Sequence, residues 1–369
     1  MTRLLVDEAL LSGATGALPP SWLAGLDLRP FAGRALAGSP DLAWAEALLL
    51  RTVTRLDATT LARMPRLQAV ATLSSGTDHL DLRALAERGG VLCSGHGGNA
   101  WAVADWVEWA LTRQWQPGDS EILQPYDSQR LIRRIDLAGR TVLVVGVGAV
   151  GSTVSTRLKA LGARVLACDP PRAQAEPAFA SLDLDAALAW GPDAVTLHVP
   201  LERRGPEPTW RLLDEPRLLR LCEASARPPV VLNAARGGVL DEAAAQRLRA
   251  VGRLGGLALD TFDNEPRPDA GVVAGADRAT PHIGGHSIEG KLRVAARAVA
   301  ALRAWAGLPA GLDEAAAVRD VVGDVRDGLA LDAFERLDAA DSALRACTAA
   351  GESFDGVRHR HRRLELLAP

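Results

Sequence analysis

Cysteine is scarce in this sequence, and no run of apolar residues is long enough to cross a bilayer. Its 369 residues include four cysteines, which lie far apart and form neither a CxxC pair nor a cluster with histidine at metal-ligand spacing. This pattern argues against a disulfide framework and a metal site, and it is typical of a reducing compartment. The first residues, MTRLLVDEALL, also lack the apolar stretch of a signal peptide. We therefore expect a cytoplasmic protein with no membrane span and no metal ion.

An excess of charge of either sign is also missing. Lysine and arginine number 42 and aspartate and glutamate 45, so the formal net charge is -3. This balance gives no general reason to expect binding to nucleic acid. The basic run RHRHRR at 358–363 is read as a solvated helix end, because no other basic segment accompanies it. The length and a hydrophobic fraction of 48% predict a globular protein of two or more domains.

A glycine-rich motif, GVGAVG, occupies residues 146–151. It follows the strand-like run 142–145 and opens a helical pattern, after which a second short apolar run ends at Asp169. In a βαβ unit such glycines let the backbone approach a pyrophosphate at the helix N-terminus, and an acid about twenty residues on binds the ribose hydroxyls. The motif therefore predicts an NAD site. The alternative is a glycine-rich turn in another α/β unit, and the order of strand, helix and acid argues against it.

Three polar side chains downstream of this motif each follow a short apolar run: Arg236 in NAARGG, Glu265 in DNEP and His282 in TPHIGG. An arginine fork can grip a carboxylate, and a histidine can exchange a proton near neutral pH. A carboxylate beside that histidine stabilises its charged form. Singly, each residue is more simply explained as structural or solvated. Together, at strand ends behind a nucleotide site, they predict the catalytic residues of a 2-hydroxy acid dehydrogenase.

Strand-like and helical segments alternate along the chain, which predicts parallel sheets covered on both faces by helices. The first third contains strand-like runs at 4–6, 47–53, 69–73 and 91–93. A tryptophan-rich helix at 100–115 precedes the nucleotide motif, and packing explains its tryptophans better than a ligand box does. Beyond residue 307 the composition becomes helix-prone and charged, which predicts a separate small module.

The motifs GVGAVG, NAARGG, LDTFDNEP and TPHIGG, in this order, resemble those of the D-isomer-specific 2-hydroxy acid dehydrogenase family. The resemblance extends over nearly the whole chain. It implies an α/β fold with two doubly wound parallel-sheet domains, one a flavodoxin-like substrate domain and the other a Rossmann NAD domain, and a small C-terminal α/β module that holds a homodimer together. The expected ranges are 1–98 with about 284–306 for the substrate domain, 99–283 for the NAD domain and 307–369 for the module.

The resemblance also implies roles for individual residues. Arg236, Glu265 and His282 are the expected catalytic residues, and Thr52, Ser74 and His286 are the expected substrate contacts. The residues expected to line the NAD site are Gly146, Gly148, Val150, Gly151, Asp169, Val199, Ala234, Ala235, Arg236, Asp260 and Gly285. The chain departs from the pattern where His286 replaces a usual tyrosine, where Val199 replaces a common threonine, and where residues 95–99 lack the usual Pro-Gly-Cys before asparagine.

Other segments, among them LVDE, RTVT, GTDHLD, CDPPRA, SIEGK and LRACTAAGESFDGVRHRHRRLE, are similar to one branch of the family. That similarity implies NAD-dependent oxidation of a small phosphorylated hydroxy acid, 4-phospho-D-erythronate, to 2-oxo-3-hydroxy-4-phosphobutanoate in pyridoxal 5′-phosphate biosynthesis. Two alternatives have the same motifs. One is a dehydrogenase or reductase for another 2-hydroxy acid, such as 3-phosphoglycerate or glyoxylate. The other is a non-catalytic NAD-sensing protein on the same fold.

Overall fold

The computed structural model describes residues 1–11, 18–115, 121–125, 131–309, 312–319, 333–350, 353–361 and 363–365, with the backbone alone for 121–125 and 131–135. The described residues divide into two units. Unit 1 comprises Met1–Asn99 and Ile288–Gly328, and unit 2 comprises Ala100–Ser287 and Leu329–Pro369. The sequence places the corresponding boundaries at 98 and near 284, close to these divisions.

Unit 1 is built on a parallel sheet. Its strands are β1 (Arg3–Asp7), β2 (Asp27–Phe31), β3 (Ala47–Leu50), β4 (Ala69–Thr72) and β5 (Val91–Ser94). They lie in the order β2-β1-β3-β4-β5, and every neighbouring pair is parallel. All residues of β3 and β4 are buried, because helices cover both faces of the sheet at these inner strands. The order 2-1-3-4-5 is the flavodoxin-like order.

Helices flank this sheet. The α-helices of unit 1 are Ala58–Ala62, Leu82–Glu87 and Ile288–Trp305, the 3-10 helices are Glu8–Leu10, Pro20–Leu23 and Gly33–Gly38, and residues 314–319 are also helical. Asp57 and Asp81 begin the first two α-helices, since each side chain accepts a hydrogen bond from the backbone N–H three residues later. The long helix places Val299 in one core cluster with Ala69 and Ala71 of β4.

Unit 2 is built on a second parallel sheet. Its strands are β8 (Thr141–Val145), β9 (Arg164–Cys168), β10 (Ala194–Leu197), β11 (Val230–Asn233), β12 (Gly256–Leu259) and β13 (Arg278–Ala279), in the order β13-β12-β11-β10-β8-β9. The direction of winding reverses between β8 and β10, which opens a crevice at their carboxyl ends. The usual Rossmann order has a further strand beside β9. Here a single backbone hydrogen bond, from Leu182 N to Ala167 O at 2.9 Å, lies at that position, and the residues around Leu182 do not form a strand. The predicted fold class, α/β with two doubly wound parallel sheets, is confirmed.

Aspartates begin most of the helices that connect these strands. The helices are Ala100–Gln114, Ala149–Ala160, Pro170–Ala175, Leu184–Ala189, Glu215–Ala224, Glu242–Ala250 and Ala270–Gly275. The side chains of Asp169, Asp183, Asp214, Asp241 and Asp269 each accept a hydrogen bond from the N–H three residues later. A separate antiparallel hairpin, β6 (Glu121–Pro125) with β7 (Leu131–Ile135), precedes the sheet and was not expected from the sequence.

The described part of the C-terminal region is helical and packs into unit 2. Its helices are Ala333–Ala350 and Phe354–Arg360. Leu337 belongs to the core cluster that contains Trp106, and Phe354 belongs to the cluster that contains Phe262. The predicted separate module at 307–369 therefore needs correction, because its described residues from Ala333 onward complete the core of the nucleotide-binding unit. Residues 310–311, 320–332, 351–352, 362 and 366–369 of that module lie outside the described residues.

The tryptophan-rich helix Ala100–Gln114 has a packing role, as the sequence predicts. Trp106 and Trp109 of the helix Ala100–Gln114 are both 0% exposed, so these tryptophans are core residues. Across the described ranges, no helix is both long and apolar enough to span a bilayer.

Candidate active site

The predicted nucleotide and catalytic residues of unit 2 all follow carboxyl ends of its parallel strands. Because those ends lie at one edge of the sheet, the fold gathers the residues there. The positions are Gly146, Gly148, Val150 and Gly151 after β8, Asp169 after β9, Val199 after β10, Ala234, Ala235 and Arg236 after β11, Asp260 and Glu265 after β12, and His282 and Gly285 after β13. Strand order brings the last three groups onto adjacent strands.

The glycine motif has two crowded glycines, Gly146 and Gly151, and one open glycine, Gly148. A Cβ on Gly151 would overlap the carbonyl oxygen of Gly146, so the helix can begin this close to β8 only without a side chain there. A Cβ on Gly148 would meet nothing within 4 Å. Gly148 instead borders a cavity of about 420 Å³ that is also lined by Asp169 and Arg172. An open glycine at a helix N-terminus beside a cavity fits the pyrophosphate of a dinucleotide.

Asp169 fixes the glycine motif from the end of β9. Its Oδ2 accepts a hydrogen bond from Val147 N at 2.7 Å, and its Oδ1 accepts one from Arg172 N at 3.0 Å. The Arg172 guanidinium donates in turn to Val147 O at 2.6 Å and to Ser152 Oγ at 3.1 Å. Arg172 also pairs with Glu176, so protein groups already hold its fork in place. The carboxylate of Asp169 remains on the cavity wall, where a ribose can reach it.

Glu265 and His282 form a close pair. Glu265 Oε2 lies 2.7 Å from His282 Nδ1, and Glu265 Oε1 accepts a hydrogen bond from Phe262 N at 2.9 Å. Burial alone would raise the pKa of Glu265, but the positive charge and hydrogen bond of His282 outweigh burial and lower it. With Nδ1 engaged by the carboxylate, Nε2 is the ring nitrogen left to exchange a proton with a ligand.

A buried carboxylate holds the loop that carries this histidine, residues 280–287, called here the histidine loop. His282 has a φ of 54°, in the left-handed region, which costs a residue with a side chain about 1–3 kcal/mol. Asp260, which is 1% exposed, accepts hydrogen bonds from Thr280 Oγ1 at 2.6 Å, Ile283 N at 2.8 Å and Gly284 N at 2.7 Å. These bonds hold the backbone on both sides of His282. The structure therefore has a tight left-handed turn at this position.

Trp106 extends this network into the core. Its indole Nε1 donates to Thr280 Oγ1 at 2.7 Å, and the same hydroxyl donates to Asp260. Burial raises the pKa of Asp260, although the charge of His282 and the three donors act in the opposite direction. The structure thus gives Asp260 a structural task that sequence patterns did not reveal. Its predicted contact with NAD stays a prediction.

The loop that carries Arg236 packs against the loop that carries Glu265. A Cβ on Gly237 would overlap the carbonyl oxygen of Phe262, so the two backbones touch. Asn233, the last residue of β11, fixes the Arg236 loop by donating to Arg236 O at 2.9 Å and accepting from Ala235 N at 3.1 Å. The half-buried Arg236 side chain donates to Ala235 O at 2.7 Å. These contacts place the arginine beside the Glu265 loop.

A second carboxyl group supports the Glu265 loop from behind. Glu242 Oε1 accepts a hydrogen bond from Asp263 N at 2.8 Å. Burial, reinforced by the charge of Asp263, raises the pKa of Glu242 to about 8. Glu242 is therefore mainly protonated at neutral pH, and the negative charge beside His282 belongs to Glu265.

The expected substrate contacts lie in both units. Thr52 is exposed and follows β3, while Ser74 follows the neighbouring strand β4 and donates from its Oγ to Gly76 O at 2.6 Å. Both belong to unit 1. His286 belongs to unit 2, and its Nε2 lies 3.4 Å from Nη2 of Arg358. Their substrate contacts stay predictions.

Comparison with known proteins agrees with this geometry. Residues 106–284 match the sequence model of the D-isomer specific 2-hydroxyacid dehydrogenase NAD binding domain. The erythronate-4-phosphate dehydrogenase of Pseudomonas paraeruginosa is 40% identical over 282 residues, which cover 76% of this chain and 68% of that protein. The chain belongs to the D-isomer specific 2-hydroxyacid dehydrogenase family. NAD is its cofactor.

Solved structures with the same fold are also similar to this member of the family. The TT0316 protein of Thermus thermophilus is 29% identical with a TM-score of 0.60, over 84% of this chain and 99% of that one. The D-lactate dehydrogenase of Aquifex aeolicus, solved with NAD and lactic acid, is 23% identical with a TM-score of 0.58, over 83% of this chain and 96% of that one. The second likeness is evidence of the shared fold.

Two of the three glycines of the motif, Gly148 and Gly151, should respond differently to alanine. Gly151→Ala forces the helix away from β8, so the free energy of unfolding should fall by about 1–3 kcal/mol without NAD. Gly148→Ala is the matched control, which should leave the unfolding temperature nearly unchanged but weaken NAD binding, because the methyl group projects where the pyrophosphate approaches. Thermal unfolding and NAD titration measure both. Equal loss of stability in the two variants, or unchanged NAD affinity in Gly148→Ala, would contradict this assignment.

The Glu265–His282 pair should be visible in the pH profile of hydroxy acid oxidation. The base must be neutral, so activity appears above the histidine pKa. Glu265→Gln removes the charge that stabilises imidazolium, the histidine pKa falls, and the acid limb should move to lower pH. Glu242→Gln is the matched control, because Glu242 is already mainly uncharged where the limb is measured and should leave it in place. An acid limb that stays or rises in Glu265→Gln would be inconsistent with the pairing.

Proposed function

We propose that this protein oxidises 4-phospho-D-erythronate at C2 to 2-oxo-3-hydroxy-4-phosphobutanoate, with NAD, in pyridoxal 5′-phosphate biosynthesis. The observation that carries the chemistry is the 2.7 Å contact between Glu265 and His282, at the same edge of the sheet as the glycine motif. The substrate comes from the similarity to the Pseudomonas dehydrogenase named for it. The predicted cytoplasmic location belongs to the same proposal.

In the proposed reaction His282 is the general base. Its Nε2 takes the proton of the C2 hydroxyl, and Glu265 stabilises the imidazolium that forms at the other ring nitrogen. Bound NAD supplies the hydride acceptor for the hydrogen on C2. Arg236 grips the substrate carboxylate with its planar guanidinium, which orients C2 toward the base. The products are the 2-oxo acid, NADH and one proton, so electrons and atoms balance.

The phosphate end of the substrate requires donors, and His286 is our proposed ligand for it. Arg358 lies beside His286 and adds positive charge to the same region of unit 2. Thr52 and Ser74 of unit 1 are the other proposed contacts. Arg51 is a further candidate, but its Nε and Nη2 donate to the buried carboxylate of Asp7 at 2.8 and 3.1 Å, so its guanidinium is already paired. We therefore favour His286 over Arg51 for the phosphate.

Substrate comparison tests this function. The wild-type protein should have a higher kcat/KM for 4-phospho-D-erythronate than for 3-phosphoglycerate. The absorbance of the NADH that forms measures both rates. His286→Phe should raise KM by about ten- to a hundredfold with a smaller effect on kcat, since one charge-assisted hydrogen bond is lost. His359→Phe, at an exposed histidine of the helix Phe354–Arg360, is the matched control and should keep the wild-type KM.

The possible negative results have different consequences. If the protein prefers 3-phosphoglycerate or glyoxylate, the proposed substrate is wrong but the class of reaction stands. NAD binding without turnover of any hydroxy acid would favour the NAD-sensing alternative.

We also propose that the protein is a homodimer, as the resemblance implies. Truncation from residue 310 is a poor test, because it would remove Leu337 and Phe354 from the core of unit 2. Light scattering on the full-length chain should give twice the mass of one chain. A single-chain mass at micromolar concentration would contradict the proposal.

A further inference from the structure

Arg363, the last residue of the basic run near the C-terminus, reaches the histidine loop instead of facing solvent. Arg363 Nη2 donates to Gly284 O at 2.7 Å and to Ala102 O at 2.7 Å. Its Nη1 lies 3.4 Å from Oδ2 of Asp105. The side chain of Arg363 is 0% exposed, so the solvated helix end expected from the sequence is wrong for this residue.

Neighbouring residues of the same segment join this contact. Ser287 Oγ, at the end of the histidine loop, donates to Glu365 Oε1 at 2.7 Å, and both residues are buried. The Phe354 ring packs edge-on against Phe262, the residue whose N–H holds Glu265, with 6.3 Å between centroids. Residues 354–361 and 363–365 therefore contact both loops that carry the proposed catalytic pair.

The buried charge of Arg363 is matched. Asp105 lies between two guanidiniums, because Arg157 Nη2 is 3.1 Å from its Oδ1. Arg157 also pairs with Glu108 at 2.7 Å. Two buried carboxylates thus face two buried guanidiniums, which is the condition under which buried charges are tolerated. A guanidinium fixed in this way gives Gly284 a rigid partner.

The histidine loop is consequently held from two directions. Asp260 binds the N–H groups of Ile283 and Gly284, and Arg363 binds the carbonyl oxygen of Gly284. A left-handed conformation at His282 persists only where surrounding bonds enforce it. Arg363 supplies the bond on the carbonyl side.

We propose that Arg363 is a positioning residue for the dehydrogenase reaction, which fixes the histidine loop through Gly284 and thereby keeps His282 in register with Glu265. This inference rests on the proposed function for the role of His282. The competing explanation is that Arg363 only stabilises the core beside the helix Ala100–Gln114.

Arg345 offers a matched control for that explanation. It belongs to the same C-terminal region and also donates to backbone carbonyls, those of Val273 and Ala276 at 2.9 Å and that of Ala274 at 3.5 Å, and to the Asp341 carboxylate. Its backbone contacts lie in the helix Ala270–Gly275 and at its C-cap. Its partner Asp341 also accepts a hydrogen bond from Ala279 N at 3.0 Å, so the contacts of Arg345 stop one residue short of residues 280–287. A purely structural role would give Arg363 and Arg345 variants the same phenotype.

The experiment compares Arg363→Lys and Arg363→Met with Arg345→Lys and Arg345→Met in the full-length chain. Lysine keeps the charge near Asp105 but has one nitrogen in place of the two that reach Asp105 and Gly284. We expect Arg363→Lys to lower kcat about ten- to a hundredfold with KM within about threefold, because small misplacement of a catalytic group has effects of this size. Arg363→Met should lower it further, and both Arg345 variants should keep the wild-type kcat well below their unfolding temperatures.

Two further readouts separate positioning from general destabilisation. The acid limb of the pH profile should move to lower pH in Arg363→Lys, as in Glu265→Gln, because a looser loop weakens the contact that stabilises imidazolium. Asp260, Glu242 and Arg358 also interact electrostatically with this pair, and neither variant changes them. The amide hydrogens of Ile283 and Gly284 should exchange faster in Arg363→Lys and at the wild-type rate in Arg345→Lys.

Several results would overturn the proposal. Wild-type kcat and acid limb in a folded Arg363→Lys would do so, as would equal losses in the Arg363 and Arg345 variants. If neither Arg363 variant folds, Glu365→Met decides the question through Ser287, and an unchanged kcat with unchanged amide exchange at 283–287 counts against the proposal. If the wild type oxidises no hydroxy acid, the proposed function is wrong. Amide exchange at Ile283 and Gly284 then still tests, independently of activity, whether Arg363 holds the histidine loop.

Discussion

Asp260 accepts hydrogen bonds from Thr280 Oγ1 and from the N–H groups of Ile283 and Gly284, and the position of His282 depends on these three bonds. These bonds stabilise the left-handed turn at His282, which is otherwise an unfavourable backbone conformation. Trp106 fixes the Thr280 hydroxyl from the core, and the contact of His282 with Glu265 follows from the turn. A buried carboxylate thus converts core packing into the geometry of a reactive pair.

The carboxyl groups around these loops have different electrostatic settings. Burial raises the pKa of Asp260 and that of Glu242, whereas the neighbouring histidine lowers the pKa of Glu265. Asp260 and Glu242 hold backbone N–H groups, and Glu265 holds the imidazole. The negative charge is therefore most favourable on Glu265, where it can stabilise a protonated His282. Asp260 and Glu242 instead hold the backbone of the loops in place.

Local sequence patterns were sufficient for the sheet architecture and for the residues at its edge. The strand, glycine motif and acid around 142–169 are contiguous, and Arg236, Glu265 and His282 each follow their own strand closely. The pairing of β6 with β7, the hydrogen bonds of Asp260 and the position of Arg363 were not predictable in this way. Arg363 meets Asp105 across 258 positions and Gly284 across 79, so no periodicity or spacing marks either contact. From sequence alone, a run of basic residues is predicted to be exposed to solvent, because its buried partners are not visible there.

The long separation between Gly284 and Arg363 also orders events during synthesis. The strands of the second sheet are all translated by Ala279, so that sheet can form while the chain is still growing. The carbonyl of Gly284 acquires its guanidinium partner only after 79 further residues have been added. On the ribosome, the strands of the nucleotide-binding crevice are therefore present before the C-terminal residues that complete its core and hold the histidine loop. Maturation of the enzyme is in this sense a late event of translation.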